Sequence, residues 1–191
     1  MITGNHISIR PLQPGDETIL HRWWNDGSVM THAGFPFGTM QGFDAIRETV
    51  LRDSANQSLY PTSKIFMICK PHDMAPIGEI CYSNYDRHDL RCEIGIKICE
   101  QTVQDKGYGT EALALFIDYL FCSLNLNKIE LTTMPDNERA QHVYAHLGFK
   151  RSGVFRKHYF DARTGDYTDC IYMDLLKKEW LKKRSEFISQ P

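Results

Sequence analysis

Two glycines separated by one residue, at the point where a strand-like segment gives way to a long helical pattern, constrain this chain more than any other feature. The segment comprises Gln104, Asp105, Lys106, Gly107, Tyr108, Gly109 and Thr110. Because glycine has no Cβ, the backbone can turn sharply there and bring several N–H groups close to a ligand. The helix predicted to follow adds the positive end of its dipole. The segment therefore predicts a turn that binds the phosphates of a cofactor.

Two other interpretations of this turn are open. A Gly-x-Gly pair also occurs where a helix entry simply needs flexible backbone. Gly107, Gly109 and Ala112 formally fit the dinucleotide fingerprint Gly-x-Gly-x-x-Ala, with Glu130 downstream. In that fingerprint the loop directly follows the first parallel strand, whereas here eight residues separate Ile98 from Gly107. The context therefore disfavours a dinucleotide site.

Hydrophobic periodicity on either side of the turn predicts a mixed α/β domain. Strand-like segments cover residues 6–10, 65–69, 77–82, 90–98, 129–133, 154–160 and 167–175. Helices are predicted at 16–24, 40–53, 107–124 and 137–147, and a loop at 29–37. Short connections between the strands before the turn indicate an antiparallel meander. Asn137 is predicted to cap its helix and Gly148 to end it in the left-handed conformation.

Composition bounds the class of protein. A chain of 191 residues with 42% hydrophobic and 24% charged residues is long enough for one globular domain with a sizeable core. The net charge of −2 gives no support for binding nucleic acid. No apolar stretch has the length of a membrane span and the first residues do not resemble a signal peptide, so we expect a cytoplasmic protein. Six cysteines without Cys-x-x-Cys spacing are expected to be reduced.

Two histidines, His142 and His146, stand four residues apart on the helix predicted at 137–147, a spacing that also occurs in metal sites. They lack the glutamate of His-Glu-x-x-His, and at about 100° per residue they lie nearly opposite Tyr144. We therefore expect a surface pair and no metal site.

The turn and the helix at 137–147 together resemble the signature of the GCN5-related N-acetyltransferase (GNAT) superfamily. Its first motif, Gln/Arg-x-x-Gly-x-Gly/Ala, is matched by Gln104, Gly107 and Gly109. Its second motif, Asn-x-x-Ala-x-x-x-Tyr-x-x-x-Gly-Phe, is matched by Asn137, Ala140, Tyr144, Gly148 and Phe149. The two motifs in this order are far more specific than either one, and the resemblance covers nearly the whole chain.

Two parts of the chain resemble different classes within the superfamily. The opening is similar to ribosomal-protein N-terminal acetyltransferases in Arg10-Pro11-Leu12, Trp23 or Trp24, Asp26 and Val29-Met30. Residues 128–173 are similar to spermidine acetyltransferases of the same branch. The resemblance implies one N-acetyltransferase domain at 1–176 and a short basic tail at 177–191. Its mostly antiparallel sheet would have about seven strands, splayed beside Ile98, and about four flanking helices.

The resemblance implies that acetyl-CoA is the co-substrate. Its binding residues would be Ile96, Lys97, Ile98, Gln104, Asp105, Lys106, Gly107, Tyr108, Gly109, Thr110, Asn137, Ala140 and Tyr144. A backbone N–H in the range 96–98 would meet the oxyanion. The spacer 99–103 is slightly longer than in the family and lacks its usual proline, so this backbone register can differ by one residue.

Acetyl transfer from a thioester to an amine needs a neutral amine and a proton for the departing thiolate. An alkyl ammonium with a pKa near ~10.4 is charged at neutral pH, so a carboxylate that takes its proton helps to supply the nucleophile. Glu93 is the preferred base, because strand alternation places it away from the apolar face; Glu79 and Glu130 are weaker candidates. Tyr144 matches the family's tyrosine that protonates the coenzyme sulfur. The alternatives are a solvated strand carboxylate and a core tyrosine.

The acceptor is expected to contact Trp24, Met30, Phe35 and Glu93. The resemblance favours direct attack by a protein or peptide N-terminus on acetyl-CoA, with a polyamine or an aminoglycoside as the alternative. A non-catalytic acyl-CoA sensor would need neither Glu93 nor Tyr144. A covalent route through Cys92 or Cys99 lacks a neighbouring histidine. The expected partners are therefore acetyl-CoA and an amine, with a homodimer left open.

Overall fold

An eight-stranded sheet forms the centre of the computed structural model, which describes residues 1–188. In chain order its strands are β1 (Ile2–Thr3), β2 (Ser8–Pro11), β3 (Lys64–Cys69), β4 (Pro76–Asp86), β5 (Arg91–Ile98), β6 (Lys128–Thr133), β7 (Lys150–Asp161) and β8 (Asp166–Leu176). Their spatial order is β1-β2-β3-β4-β5-β6-β8-β7. The predicted mixed, mostly antiparallel sheet is confirmed, and β1 is a further strand that the sequence pattern did not indicate.

The strands β5 and β6 are parallel, and they form the joint between the two halves of the sheet. Within residues 1–188, three residue pairs connect them: Arg91 with Lys128, Cys92 with Ile129, and Glu93 with Glu130. Beyond Glu93, β5 continues beside β4 as far as Ile98 without pairing to β6. The sheet therefore opens into a wedge between the ends of β5 and β6, which confirms the predicted splay.

Helices cover both faces of the sheet. The described residues form α1 (Glu17–Trp24), α2 (Gly27–Met30), α3 (Phe43–Ser54), α4 (Tyr108–Asp118), α5 (Glu138–Leu147) and α6 (Lys177–Lys183). A π-helical turn at Tyr119–Ser123 extends α4. Neighbouring residues of β3 show the two sides: Ile68 packs in the main core with α4, α5 and α6, and Met67 packs in a second core with α1 and α3.

The helix that carries the second sequence motif has the predicted boundaries. The side chain of Asn137 accepts a hydrogen bond from the N–H of Ala140 at 3.2 Å and so caps α5. Gly148 ends the helix at φ = +103°, a conformation that costs a residue with a Cβ about 1–2 kcal/mol. Both capping predictions are confirmed.

The segment that follows α1 differs from its prediction as a loop. It contains α2 and a 3₁₀ turn at Thr31–Ala33. Asp26 caps α2 by accepting a hydrogen bond from the N–H of Ser28 at 2.8 Å. These helical pieces are too short to show a hydrophobic period in the sequence. Their effect is to bring residues 29–33 over the wedge.

Helix α6 occupies the stretch that the sequence indicated as a basic tail, and it packs into the main core. Trp180 is fully buried, and its Nε1 donates to Oδ1 of Asp118 at 3.0 Å. Arg184 donates from Nε to the same carboxylate oxygen at 2.6 Å. The sequence predicts a short helix with a solvated face here, since a single tryptophan among lysines gives no apolar stripe; the helix is present, but Trp180 is buried. Residues 177–186 thus contribute to the same core as the rest of the domain.

Candidate active site

Two cavities meet in the wedge between β5 and β6. The smaller, of about 270 Å³, lies over the surface of β4 and β5, and the larger, of about 570 Å³, lies along the turn before α4 and the start of α5. Residues that line both are Val29, His32, Ile96, Lys97, Asn137 and Tyr144. A ligand in the larger cavity can therefore meet a ligand in the smaller one at this shared section.

The larger cavity brings together nearly all the residues predicted to bind the cofactor. Its lining includes Ile96, Lys97, Ile98, Gln104, Asp105, Gly107, Tyr108, Gly109, Thr110, Asn137, Ala140 and Tyr144. Lys106 is not among the described residues that line it. Val103, Leu113 and Val143 add an apolar wall that suits an alkyl chain.

The turn before α4 has the geometry of an anion site. Gly107 precedes the helix at φ = +82°, and a Cβ added to it would meet nothing within 4 Å, so the backbone conformation is what requires glycine. The first N–H groups of α4 have no partner inside the helix, and they share its positive dipole end. A pyrophosphate fits these donors.

Side chains brace this turn against β5 and α5. Gln104 donates from Nε2 to the carbonyl of Ile98 at 3.1 Å. Arg139, on the first turn of α5, lies 3.1 Å from the carboxylate of Asp105 and 3.4 Å from Oε1 of Gln104. Arg139 also lines the larger cavity and is a cation within reach of phosphates. Sequence reasoning missed it, although its position two residues after Asn137 is a usable signal.

Five residues of three cross-strand pairs on β4 and β5, all except Ser83, line the smaller cavity, and we call these pairs the β4–β5 groove. The pairs are Glu79 with Lys97, Cys81 with Gly95, and Ser83 with Glu93. The central pair has only the short side chain of Cys81, and it leaves little room for another: a Cβ added to Gly95 would lie 3.3 Å from the sulfur of Cys81. Charged residues therefore stand at both ends of a shallow channel.

Glu93 lies at the end of the groove where β5 and β6 separate. Its Oε1 accepts from the hydroxyl of Thr132 at 3.2 Å, and its Oε2 accepts from the amide of Asn84 at 3.2 Å. Both donors are neutral. Among the salt bridges within residues 1–188 Glu93 takes part in none, whereas Glu79 and Glu130 lie 2.6 and 2.7 Å from lysine ammonium groups.

Glu79 lies at the opposite end and is 6% exposed. Its Oε1 lies 2.6 Å from Nζ of Lys97, and its Oε2 accepts from Nε1 of Trp24 at 2.9 Å. The ammonium of Lys97 also lies 3.4 Å from the sulfur of Met30. Trp24 and Met30, which were predicted to contact the acceptor, thus contact the Glu79–Lys97 pair and are not among the described residues that line the smaller cavity. Phe35 is 48% exposed and is likewise outside it.

Tyr144 lies at the junction of the two cavities. Its side chain packs edge to face on Phe149, with ring centroids 5.9 Å apart, and the residue is 8% exposed. Burial raises the pKa of the phenol to about 12. The phenol is therefore neutral at physiological pH and holds a proton that it can donate.

The cysteines near the site are poor nucleophiles. Cys81 lines the smaller cavity, and burial raises the pKa of its thiol to about 11. Burial also raises the pKa of Cys92 to about 12 and that of Cys99 further still. Because the thiolate is the reactive form, this environment disfavours an acetyl-cysteine route.

The hairpin of β7 and β8 crosses one side of the smaller cavity. Tyr159 of β7 lines the cavity. At the tip, Arg163 donates to Asp161 at 2.8 Å and to the hydroxyl of Thr31 at 3.4 Å, and lies 3.9 Å from Asp136. These contacts connect the hairpin with the 3₁₀ turn after α2 and with the loop before α5.

Several lining residues were absent from the sequence predictions. Thr132 lies two residues after Glu130 on β6 and therefore on the same face of the sheet, which the strand period of the sequence could have indicated. His32 and Tyr159 line the smaller cavity from segments far from Glu93 in the chain. No local pattern signals such long-range contacts.

The histidine pair has no common role in the structure. His142 lines the larger cavity, whereas His146 packs on Phe187 with ring centroids 5.1 Å apart. In the part of the chain that the structure describes, no group of three metal-ligating side chains occurs. None of the helices within residues 1–188 combines the length and the apolar character that crossing a membrane requires.

A splayed mixed sheet with a phosphate-binding turn at the wedge, and a buried tyrosine between two cavities, is the arrangement of CoA-dependent acyltransferases. A family model described as "Acetyltransferase (GNAT) domain" matches residues 6–150. The chain belongs to this family. It is an N-acetyltransferase that uses acetyl-CoA as its co-substrate.

Known relatives cover almost the full length of the chain. The spermidine N(1)-acetyltransferase of Escherichia coli (strain K12) is 29% identical over 182 residues, which cover 95% of this chain and 91% of the relative. The putative ribosomal N-acetyltransferase YdaF of Bacillus subtilis is 29% identical over 180 residues, 92% of this chain and 93% of the relative. A spermidine N-acetyltransferase from Vibrio cholerae, solved with CoA and spermine, has the same fold, with a TM-score of 0.80 at 24% identity over 92% and 98% of the two chains.

Proposed function

We propose that the acceptor is a polyamine, one of whose primary amines attacks the thioester of acetyl-CoA directly. The observation that carries this proposal is the charge pattern of the smaller cavity. Within the described residues, Glu93 forms no salt bridge, whereas Glu79 and Glu130 each pair with a lysine. An unbalanced carboxylate in a recessed groove attracts an alkyl ammonium.

Each step of the transfer then has a group beside it. Glu93 takes the proton of the acceptor ammonium, directly or through one water molecule. Tyr144 gives its proton to the departing thiolate. Cys99 directs its N–H to Ile77 of β4 at 2.9 Å, and N–H groups alternate in direction along a strand. Ile96 and Ile98 therefore direct theirs into the wedge, where they are donors for the oxyanion.

The shape of the smaller cavity supports a slender acceptor. Its volume is about 270 Å³, and Tyr159 of the β7–β8 hairpin lines it. The names of the Escherichia and Vibrio relatives support a polyamine, in place of the peptide N-terminus that the sequence favours. Because YdaF is named a putative ribosomal N-acetyltransferase, peptides with free N-termini must be compared with polyamines as acceptors.

The test is release of free thiol from acetyl-CoA by the purified protein. Spermidine and spermine are compared with aminoglycosides and with short peptides that begin with Ala, Ser or Met. We expect kcat/KM for the polyamines to exceed that for every peptide by at least about 100-fold, because a polyamine carries further ammonium groups that the charge of Glu93 attracts, whereas the amide next to a peptide N-terminus is neutral. A peptide or an aminoglycoside with the higher value would replace the polyamine as acceptor.

A further inference from the structure

The β4–β5 groove carries opposite charges at its two ends. Glu93, Gly95 and Lys97 lie on one face of β5, so a residue without a side chain separates a carboxylate from an ammonium. The side chain of Lys97 is 25% exposed, and that of its partner Glu79 is 8% exposed. The lysine of this ion pair is therefore more accessible than its glutamate.

Four elements hold this ammonium in place. Glu79 comes from β4 and Lys97 from β5, while Trp24 of α1 and Met30 of α2 contact the pair from behind. With both carboxylate oxygens of Glu79 engaged, the lysine stem has a fixed end point. A lysine on a free surface would spread its charge over many rotamers. Here the positive charge has a defined position, on a residue that lines both cavities.

We propose that Lys97, held by Glu79, is a specificity-determining residue that fixes the direction in which a multiply charged acceptor lies in the groove. Like charges repel, so a second ammonium cannot extend past Lys97 towards the larger cavity. The remaining ammonium groups lie on the Glu93 side. This inference rests on the proposed function, because it concerns how the polyamine is oriented.

The test removes the cation without removing the stem. Lys97→Met leaves Glu79 as a second unbalanced carboxylate at the other end of the groove. We expect KM for spermine to fall about tenfold and KM for a monoamine such as butylamine to change less than about twofold. In Lys97→Met/Glu79→Gln neither charge remains, and the ratio of the two KM values is expected to return to within about threefold of the wild-type ratio.

Lys128→Met is the matched control. Lys128 lies 2.7 Å from Glu130, two residues along the same strand β6, and it lines neither cavity among the described residues. This variant loses an ion pair of the same kind and is expected to keep the wild-type ratio of KM values. Acetyl-CoA affinity and urea unfolding, measured for every variant, identify effects on cofactor binding or folding.

Two results would overturn the inference. One is a ratio of KM values in Lys97→Met equal to that of the wild type. The other is an equal loss of kcat for all acceptors, which would assign Lys97 to the reaction itself. If the wild type acetylates peptides and not polyamines, the proposed function fails first. The variants are then compared on peptides with Lys or Ala at the second position, and an unchanged preference overturns the role of Lys97 as well.

Discussion

Thr132 of β6 donates its hydroxyl to Glu93 of β5 at 3.2 Å, just beyond the last residue pair that joins the two strands. This hydrogen bond orients the carboxylate at the mouth of the wedge without cancelling its charge. A lysine or an arginine in place of Thr132 would balance Glu93 and remove the attraction for a cationic acceptor. Under the proposed function, recognition of the amine therefore depends on Glu93 having neutral hydrogen-bond partners.

Glu93→Gln is expected to raise KM for spermidine about tenfold or more, because the amide can still bond Thr132 and Asn84 but carries no charge. Steady-state kinetics at fixed saturating acetyl-CoA measure the effect. Asp174→Asn is the control, since this carboxylate lies on β8 at 3.7 Å from Lys128 and lines neither cavity in the described chain. Equal KM values for wild type and Glu93→Gln would contradict the role of Glu93.

Tyr144→Phe is expected to lower kcat about 100-fold while acetyl-CoA affinity changes less than about threefold. The ring and its packing on Phe149 remain, and only the proton donor is lost. Single-turnover thiol release and direct binding of acetyl-CoA separate the two quantities. Tyr108→Phe, which also removes a phenol from the lining of the larger cavity, distinguishes loss of the acid from loss of a wall contact. An unchanged kcat in Tyr144→Phe would remove this residue as the acid.

The raised pKa of Tyr144 also predicts how stability depends on alkaline pH. Below about pH 10 the phenol is protonated in both states, so it adds no pH dependence. Between pH 10 and about 12 the unfolded chain loses this proton while the folded chain keeps it, so the free energy of unfolding falls as pH rises. Between pH 9 and pH 11, Tyr144→Phe should lack about 1 kcal/mol of this fall.

Urea unfolding at pH 9 and pH 11 checks the difference between wild type and variant. Tyr167→Phe serves as control because Tyr167 is 54% exposed. If both variants follow the wild-type curve, burial does not raise the pKa of Tyr144.

Gly107→Ala is expected to weaken acetyl-CoA binding at least about tenfold, because a Cβ disfavours φ = +82° by about 1–2 kcal/mol and the turn must shift. Gly15→Ala imposes a similar strain at φ = +106°, also with nothing within 4 Å of the added carbon, and lies outside the cavity linings. Both variants should lose stability, but only Gly107→Ala should lose affinity in a calorimetric titration. Equal affinities would show that the turn does not hold the cofactor.

The sequence predicted the parts of the site that consist of local backbone. The turn at Gly107 and the cap at Asn137 depend on residues within a few positions of each other, so motif spacing was sufficient. The splay of the sheet followed from the family resemblance and is confirmed by the pairing of β5 with β6. The domain boundary after residue 176 and a homodimer stay predictions.

The sequence did not indicate which side chains on neighbouring strands contact each other. Strand alternation placed Lys97 on the face of Glu93, but the partner that engages it, Glu79, depends on the register of two strands. The family resemblance placed Trp24 at the wall of the acceptor site, which stays a prediction, but it gave no sign that the indole N–H donates to Glu79. A buried carboxylate needs such donors, and only the folded chain shows which are near.

The joint between β5 and β6 consists of three residue pairs and lies between the two halves of the sheet. Longer ladders hold β3 to β4 and β7 to β8, so warming is expected to loosen this joint before either half of the sheet melts. A slight gain in the width of the wedge separates Glu93 from Tyr144 while both cores stay intact. Heat should therefore inactivate this enzyme reversibly at temperatures where its circular dichroism spectrum is still that of the folded protein.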